Sequence, residues 1–178
     1  MHADDEEEFQ VFVRSRWPKL VRTAYLLTGD AHLAEDVAQT ALTKAYRSWS
    51  RVQRSDNPDA YVRRILVTSH KDRFRKRRVA ERLTDALPDT ADRRDPLSAS
   101  DQRQELMAAL ARLPVRQRAV VVLRYWEDIP EAEVARTLGC SVGTVKSQAS
   151  RALAALRRVL RDEPPVFAAY GRRGEGEQ

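Results

Sequence analysis

Between Phe9 and Leu27 the apolar residues Phe9, Phe12, Val13, Trp17, Leu20, Val21, Ala24 and Leu27 recur at intervals that line one face of an α-helix. Pro18 falls inside this run and predicts a kink or break after Trp17. Thr28-Gly29-Asp30 reads as a turn, with Asp30 placed to cap the next helix. That helix, Ala31 to about Trp49, is the most clearly amphipathic stretch. Leu33, Ala34, Val37, Ala38, Ala41, Ala45 and Trp49 share one side, and Asp36, Gln39, Thr40, Thr43 and Arg47 the other. A loop from Ser50 to Asn57 follows. Asn57-Pro58-Asp59 supplies a cap, a first-turn proline and a first-turn acid. The helix it starts runs to about Arg78 and offers Tyr61, Val62, Ile65 and Leu66 to a core.

The periodicity fades after Val79. The stretch ERLTDALPDTADRRDPLSAS holds two prolines and no sustained apolar repeat, which predicts a linker. Ser100 then caps a helix with Leu106, Met107, Leu110 and Leu113 inward. Leu113-Pro114 marks a break, and the next helix turns Val120, Val121, Leu123 and Trp126 inward. From Ile129 to Leu160 the chain reads as a helix-turn-helix. Pro130 suits the first helical turn, and Val134, Ala135 and Leu138 recur at helical spacing. Gly139 can take a left-handed helix end, and Ser141 is a good N-cap for the second helix. That helix carries Val142, Val145, Ala149, Ala152, Leu153 and Leu156 on one side. Gly143, Ser147 and Ser150 lie on the other, flanked by Lys146 and Arg151. Pro164-Pro165 ends it, and GRRGEGEQ reads as a frayed tail.

No segment shows strand alternation, so the expected fold is all-α: two small helical domains joined by a flexible linker. The boundaries are an acidic N-terminal tail at 1–8, a first domain at 9–78, the linker at 79–99, a second domain at 100–161, and a C-terminal tail at 162–178. With 42% hydrophobic and 33% charged residues, the chain can fold but is thin for one large core.

Charge then narrows the partners. A net charge of +6 and a pI near 9.8 favour a polyanion, nucleic acid before membrane. Asp72 is the sole acid in the run that carries Lys71, Arg73, Arg75, Lys76, Arg77 and Arg78, a bias that favours phosphate. Phe74 and Tyr61 have rings able to stack on an unpaired base, yet both equally suit a core, and for Tyr61 the core is the better reading. The small, polar, basic face of the last helix suits a DNA major groove, since small residues allow close approach and Ser can bond base edges. The sole cysteine, Cys140, allows no internal disulfide, and no apolar run approaches a membrane span. MHADDEEE lacks the apolar core of a signal peptide, so a cytoplasmic protein is expected, nucleoid-associated when bound to DNA.

Three stretches together carry a resemblance: YLLTGDAHLAEDVAQTALTKAYRSW, DAYVRRILVTSHKDRFRKRR, and LPVRQRAVVVLRYWEDIPEAEVARTLGCSVGTVKSQASRALAALR. In this order they resemble a bacterial RNA polymerase sigma factor of the extracytoplasmic-function (ECF) type, in the sigma-70 family. The resemblance covers about Phe9 to Leu160 and implies only sigma regions two and four. It implies that the chain binds core RNA polymerase and promoter DNA, with an anti-sigma factor as a further candidate partner. It assigns Asp36, Gln39, Thr40 and Thr43 to the polymerase; pattern alone finds that face polar and without an intrachain use. It assigns Tyr61, Arg63, Arg64, Thr68, Lys71, Arg73 and Arg75 to the minus-ten element, and Arg124, Thr144, Lys146, Ser147, Ser150 and Arg151 to the minus-thirty-five element. Several positions depart from the family pattern. Tyr61-Val62 stands for a frequent Trp-Leu pair, Thr68 for Asn, Thr40 for Glu, and Gln148 and Ser150 for residues often Arg and His or aromatic.

The rival reading is a two-domain helix-turn-helix regulator that never touches RNA polymerase. Catalysis is not expected. Glu35 and Asp36 point about 100° apart on a helix, a poor geometry for sharing a metal. No phosphate loop, Cys/His cluster or nucleophile elbow is present, and His2, His32 and His70 are scattered. No cofactor or metal is therefore expected.

Overall fold

The computed structural model describes residues 3–84 and 101–162. Among these residues there are eight α-helices and one π-helical turn, and no strand. Helix α1 spans Ala3–Thr28. It therefore takes in most of the stretch expected as an acidic tail, and Glu8 accepts a hydrogen bond from Gln53 Nε2. The expected break at Pro18 is absent. Pro18 and Arg14, whose carbonyl loses its helical partner, both lie on the exposed side, where water can serve that oxygen. Gly29, at φ +78°, turns the chain into α2, Ala31–Arg47. Asp30 caps α2 as expected, its Oδ1 accepting from the Leu33 N–H at 2.9 Å. The loop expected at 50–57 begins instead with a short helix, α3 (Trp49–Gln53). Helix α4 runs from Pro58 to Thr84, six residues beyond the expected end, with Asn57 Oδ1 accepting from the Ala60 N–H at 2.9 Å.

The first core is layered between α1, α2 and α4. Ala34, Ala38, Ala41 and Ala45 of α2 are fully buried, and their short side chains bring that helix close to its neighbours. Leu20, Ala24, Val37, Leu42, Trp49, Val52, Val62 and Leu66 complete the core. Phe9 packs edge-on against Tyr46 and Trp49, with centroids 5.0 and 5.1 Å away. Each large aliphatic side chain buried in this way contributes about 1.5–3 kcal/mol over its exposed state.

The second unit begins with α5, Asp101–Ala111; its expected cap, Ser100, and residues 85–99 of the expected linker lie outside the described residues. Helix α6 (Val115–Val121) starts after Pro114 and widens into a π-helical turn at Val122–Trp126. The N–H of Glu127 reaches back to the Val122 carbonyl at 3.0 Å. This turn changes the helical phase, so Leu123 is buried while Trp126, expected inward, is 49% exposed. Helices α7 (Glu131–Leu138) and α8 (Val142–Asp162) form the helix-turn-helix. Leu110, Leu113, Val120, Val122, Leu123, Ile129, Val134, Val145, Ala149 and Ala152 make its core. Leu106 and Val142, expected inward, are exposed; nothing in the packing explains Leu106, whereas Val142 opens α8 at the rim of the turn.

The two units are not separate bodies. Leu26 and Leu27 at the end of α1, and Val67 of α4, belong to the core of the second unit. Helix α7 packs on α4, and α6 and the π turn pack on α1.

Candidate nucleic-acid interface

The N-terminal half of α8 is assembled by local chemistry. Gly139 adopts the left-handed conformation, φ +66° and ψ +45°, that ends α7. Two residues later Ser141 Oγ accepts from the Thr144 N–H at 3.1 Å and caps α8. Val145, Ala149 and Ala152 then point inward, which leaves Gly143, Lys146, Ser147, Ser150 and Arg151 exposed together. Thr144 is half-buried, its Oγ1 2.9 Å from Ser141 Oγ. Lys146 Nζ lies 3.8 Å from Glu131 Oε2, a loose pair that leaves most of the side chain exposed. Ser147 Oγ bonds the Thr144 carbonyl at 3.0 Å and keeps both lone pairs for another donor. Arg124 lies elsewhere, on the π turn, beside Asp128 at 3.9 Å and over the Tyr125 ring.

The basic end of α4 is exposed at Lys71, Arg73, Arg75 and Lys76, and Phe74 is partly exposed among them. Arg75 pairs loosely with Asp72 at 3.6 Å. Upstream, Arg64 and Thr68 are exposed, and Thr68 Oγ1 is bound to the Arg64 carbonyl at 2.8 Å. Tyr61 is half-buried against the first core, in line with the core reading. Arg63 differs from its neighbours. Its Nη1 lies 2.9 Å from Glu133 Oε1 on α7, and its side chain is only 13% exposed. Thus α4 presents Arg64, Lys71 and Arg75 on one side, but turns Arg73 toward Asp36 of α2 and Arg63 toward Glu133 of the second unit.

The polar side of α2 is exposed throughout: Asp36, Gln39, Thr40 and Thr43. The expectation that this face has no intrachain use needs correction at one position. Asp36 Oδ2 lies 3.0 Å from Arg73 Nη2. Thr43 Oγ1 bonds the Gln39 carbonyl within the helix at 2.9 Å.

Three residues escaped the sequence reading. Arg118 is buried, with Nε donating to the Leu26 carbonyl at 2.5 Å. Its burial pulls the guanidinium down to about 10. Glu127 is buried against α1, where it accepts from Thr23 Oγ1 at 2.6 Å. His70 is buried in α4, and loss of hydration, with the nearby charge of Arg118, lowers its imidazole to about 4. No local signal marks Arg118, which stands two residues from the exposed Arg116 in the same short helix. Among the described residues no three His, Cys, Asp or Glu side chains are grouped as metal ligands, and no helix is long and apolar enough to cross a membrane.

Comparison with known proteins matches both units. The family described as Sigma-70 region 2 matches residues 12–80, and that described as Sigma-70, region 4 matches residues 103–156. The RNA polymerase sigma-E factor of Streptomyces avermitilis is 41% identical over 153 residues, covering 86% of this chain and 85% of that protein. The ECF RNA polymerase sigma factor SigM of Mycobacterium tuberculosis is 33% identical over 158 residues, covering 89% and 80%. Among solved structures, the sigma factor RpoE of Bartonella quintana, in complex with the anti-sigma factor NepR, superposes with a TM-score of 0.76 at 25% identity. The match covers 89% of this chain and 99% of that one.

Proposed function

Because this chain belongs to the sigma-70 family of RNA polymerase sigma factors, we propose that it acts as an ECF-type sigma factor. It binds core RNA polymerase, recognises promoter DNA and directs transcription initiation. The observation that carries this reading is the order of its parts: a region-two unit, then a region-four unit, with only residues 81–102 between the two matches. So short an interval fits the minimal class, with regions two and four alone.

The residue roles follow from chemistry and exposure. The polar face of α2, with Asp36, Gln39, Thr40 and Thr43, is the docking surface for polymerase. Arg64, Thr68, Lys71, Arg73 and Arg75 on α4, with Arg63 and Tyr61 nearer the start of the helix, bind the minus-ten element. Thr144, Lys146, Ser147, Ser150 and Arg151 on α8, with Arg124 on the π turn, read the minus-thirty-five element. Exposed cations neutralise phosphate, and the serines and Thr144 bond base edges. An anti-sigma factor is a partner of the kind held by the matched Bartonella quintana protein. The site of action is the cytoplasm, on the nucleoid during initiation, and no step requires catalysis by this chain.

Run-off transcription with purified core RNA polymerase over a promoter library tests the reading. Promoter-specific transcripts that need this protein are expected. If the wild type never binds core polymerase, yet binds DNA, it is a plain helix-turn-helix regulator instead.

A further inference from the structure

Helix α8 runs on past the core it helps to build. Val145, Ala149 and Ala152 are buried, but Leu153 and Leu156 are only half-buried and Leu160 is 50% exposed. At about 100° per residue, Leu153, Leu156 and Leu160 fall within about 60° of one another around the helix axis. They continue the side that carries Ala149, away from Ser147 and Ser150. The second unit therefore ends in an apolar stripe that the described residues leave open. Helix α5, which packs on α8, carries a further open leucine, Leu106, whose exposure the packing of the described residues does not explain.

The sequence just beyond α8 is matched to such a stripe. Residues 163–178 lie outside the described residues, and within them Val166, Phe167, Ala168, Ala169 and Tyr170 form an unbroken apolar run. Pro164 and Pro165 precede that run, and GRRGEGEQ, with no apolar side chain beyond glycine, follows it. In an uninterrupted helix Phe167, seven residues after Leu160, would simply lengthen the stripe. The two prolines forbid that, since each removes a helical N–H and the residue before a proline is driven out of the helical region. The apolar run must leave the helix axis, and it leaves beside Leu160. Four residue steps separate Asp162 from Val166, a reach of about 13 Å. Leu156 lies about 9 Å back along the helix from Asp162, so the run can turn back to that level. A tethered segment also meets the stripe at a far higher effective concentration than any free partner does. The match to Sigma-70, region 4 ends at residue 156, so Leu160 and the apolar run both lie beyond it.

We propose that residues 166–170 fold back on α8 and seat Phe167 and Tyr170 on Leu153, Leu156 and Leu160. The segment is the last piece of the second unit's core, and the polar tail proper begins at Gly171. It covers an apolar face that would otherwise invite association between copies of the chain.

The test uses the full chain. In nuclear magnetic resonance spectra of the wild type, the rings of Phe167 and Tyr170 should show Overhauser contacts to the methyl groups of Leu156 and Leu160. Thermal melts then compare wild type, a chain truncated after Asp162, Leu160→Glu, and the truncated chain with Leu160→Glu. Truncation and Leu160→Glu should each lower Tm by about 4–8 °C. In the truncated chain Leu160→Glu should cost only about 2 °C, as a substitution at an exposed position does, so the two effects do not add. Absence of the ring-to-methyl contacts overturns the proposal, as does a truncated chain that melts with wild type. Full additivity of truncation and Leu160→Glu also overturns it. Sedimentation of the wild type decides the rival occupant: a dimer that Leu160→Glu dissolves assigns the stripe to a second copy, and the fold-back fails.

Discussion

Asp36 Oδ2 on α2 and Arg73 Nη2 on α4 lie 3.0 Å apart, so the surface assigned to polymerase and the helix assigned to the minus-ten element meet at an ion pair. Both side chains are about half exposed, and such a pair contributes about 0–1 kcal/mol. This changes how the polymerase face should be tested. Asp36→Arg would set two cations together and disturb the DNA helix as well. Asp36→Ala with Gln39→Ala avoids that. The pair should melt close to wild type, since exposed polar substitutions away from special features cost no more than about 0.5 kcal/mol each. Capture of core polymerase should fall. If Asp36 meets a buried charge in the complex, the loss is about 2–5 kcal/mol, roughly thirty-fold to several-thousand-fold in affinity. Arg73→Ala breaks the same intrachain pair and should leave capture intact, as measured by titration of labelled protein with core enzyme.

On α8, Lys146→Ala should weaken binding to every DNA sequence alike and reduce the salt dependence by about one phosphate contact. Ser147→Ala and Ser150→Ala should act differently, changing preference at particular base pairs by about 1–3 kcal/mol each where contact is direct. Binding of polymerase-assembled protein to minus-thirty-five variants at several salt concentrations separates the two behaviours.

His70 makes stability depend on pH. The imidazole titrates near 6.5 in the unfolded chain and near 4 when folded. Between these values the unfolded chain holds the extra proton, so stability is full above pH 6.5 and falls as pH drops toward 4. Between pH 7.5 and 4.5 the wild type should lose about 2–3 kcal/mol through this residue. His70→Gln should lose that much less over the same range, as read by urea unfolding at each pH.

Gly139→Ala should destabilise the second unit by about 1–2 kcal/mol, because a Cβ is unfavourable at φ +66°. Space is not the cause, since nothing lies within 4 Å of the added atom. Gly139→Asn should cost less, because Asn tolerates this conformation. Chemical denaturation of the three proteins checks the order.

The features legible in the sequence are those decided within a few residues. Asp30, Asn57 and Ser141 cap the helices they precede, Gly139 takes the left-handed turn, and the alanine stripe of α2 is buried as its spacing requires. Local reading went astray where a distant part of the fold decides. Arg118 is buried because a carbonyl 92 residues away receives it, and nothing near it in the chain says so. Glu127 follows an exposed Trp126, although a regular helix counted from Leu123 would bury that ring. Arg63 lies beside Arg64 and shares its chemistry, yet only Arg63 faces Glu133. The family resemblance extended to all the binding residues together, and it could not indicate which of them this packing covers.

The π-helical turn at Val122–Trp126 makes the relation of the two halves a matter of counting. A turn of this kind holds one residue more than a regular helix would. Removing one residue there would rotate everything beyond it by about 100°. Glu127 would swing away from Thr23 and Lys19, while the capping of α8, which depends only on Ser141 and its neighbours, would remain. A single-codon deletion is therefore the smallest genetic change expected to uncouple the halves of this protein while sparing its recognition helix.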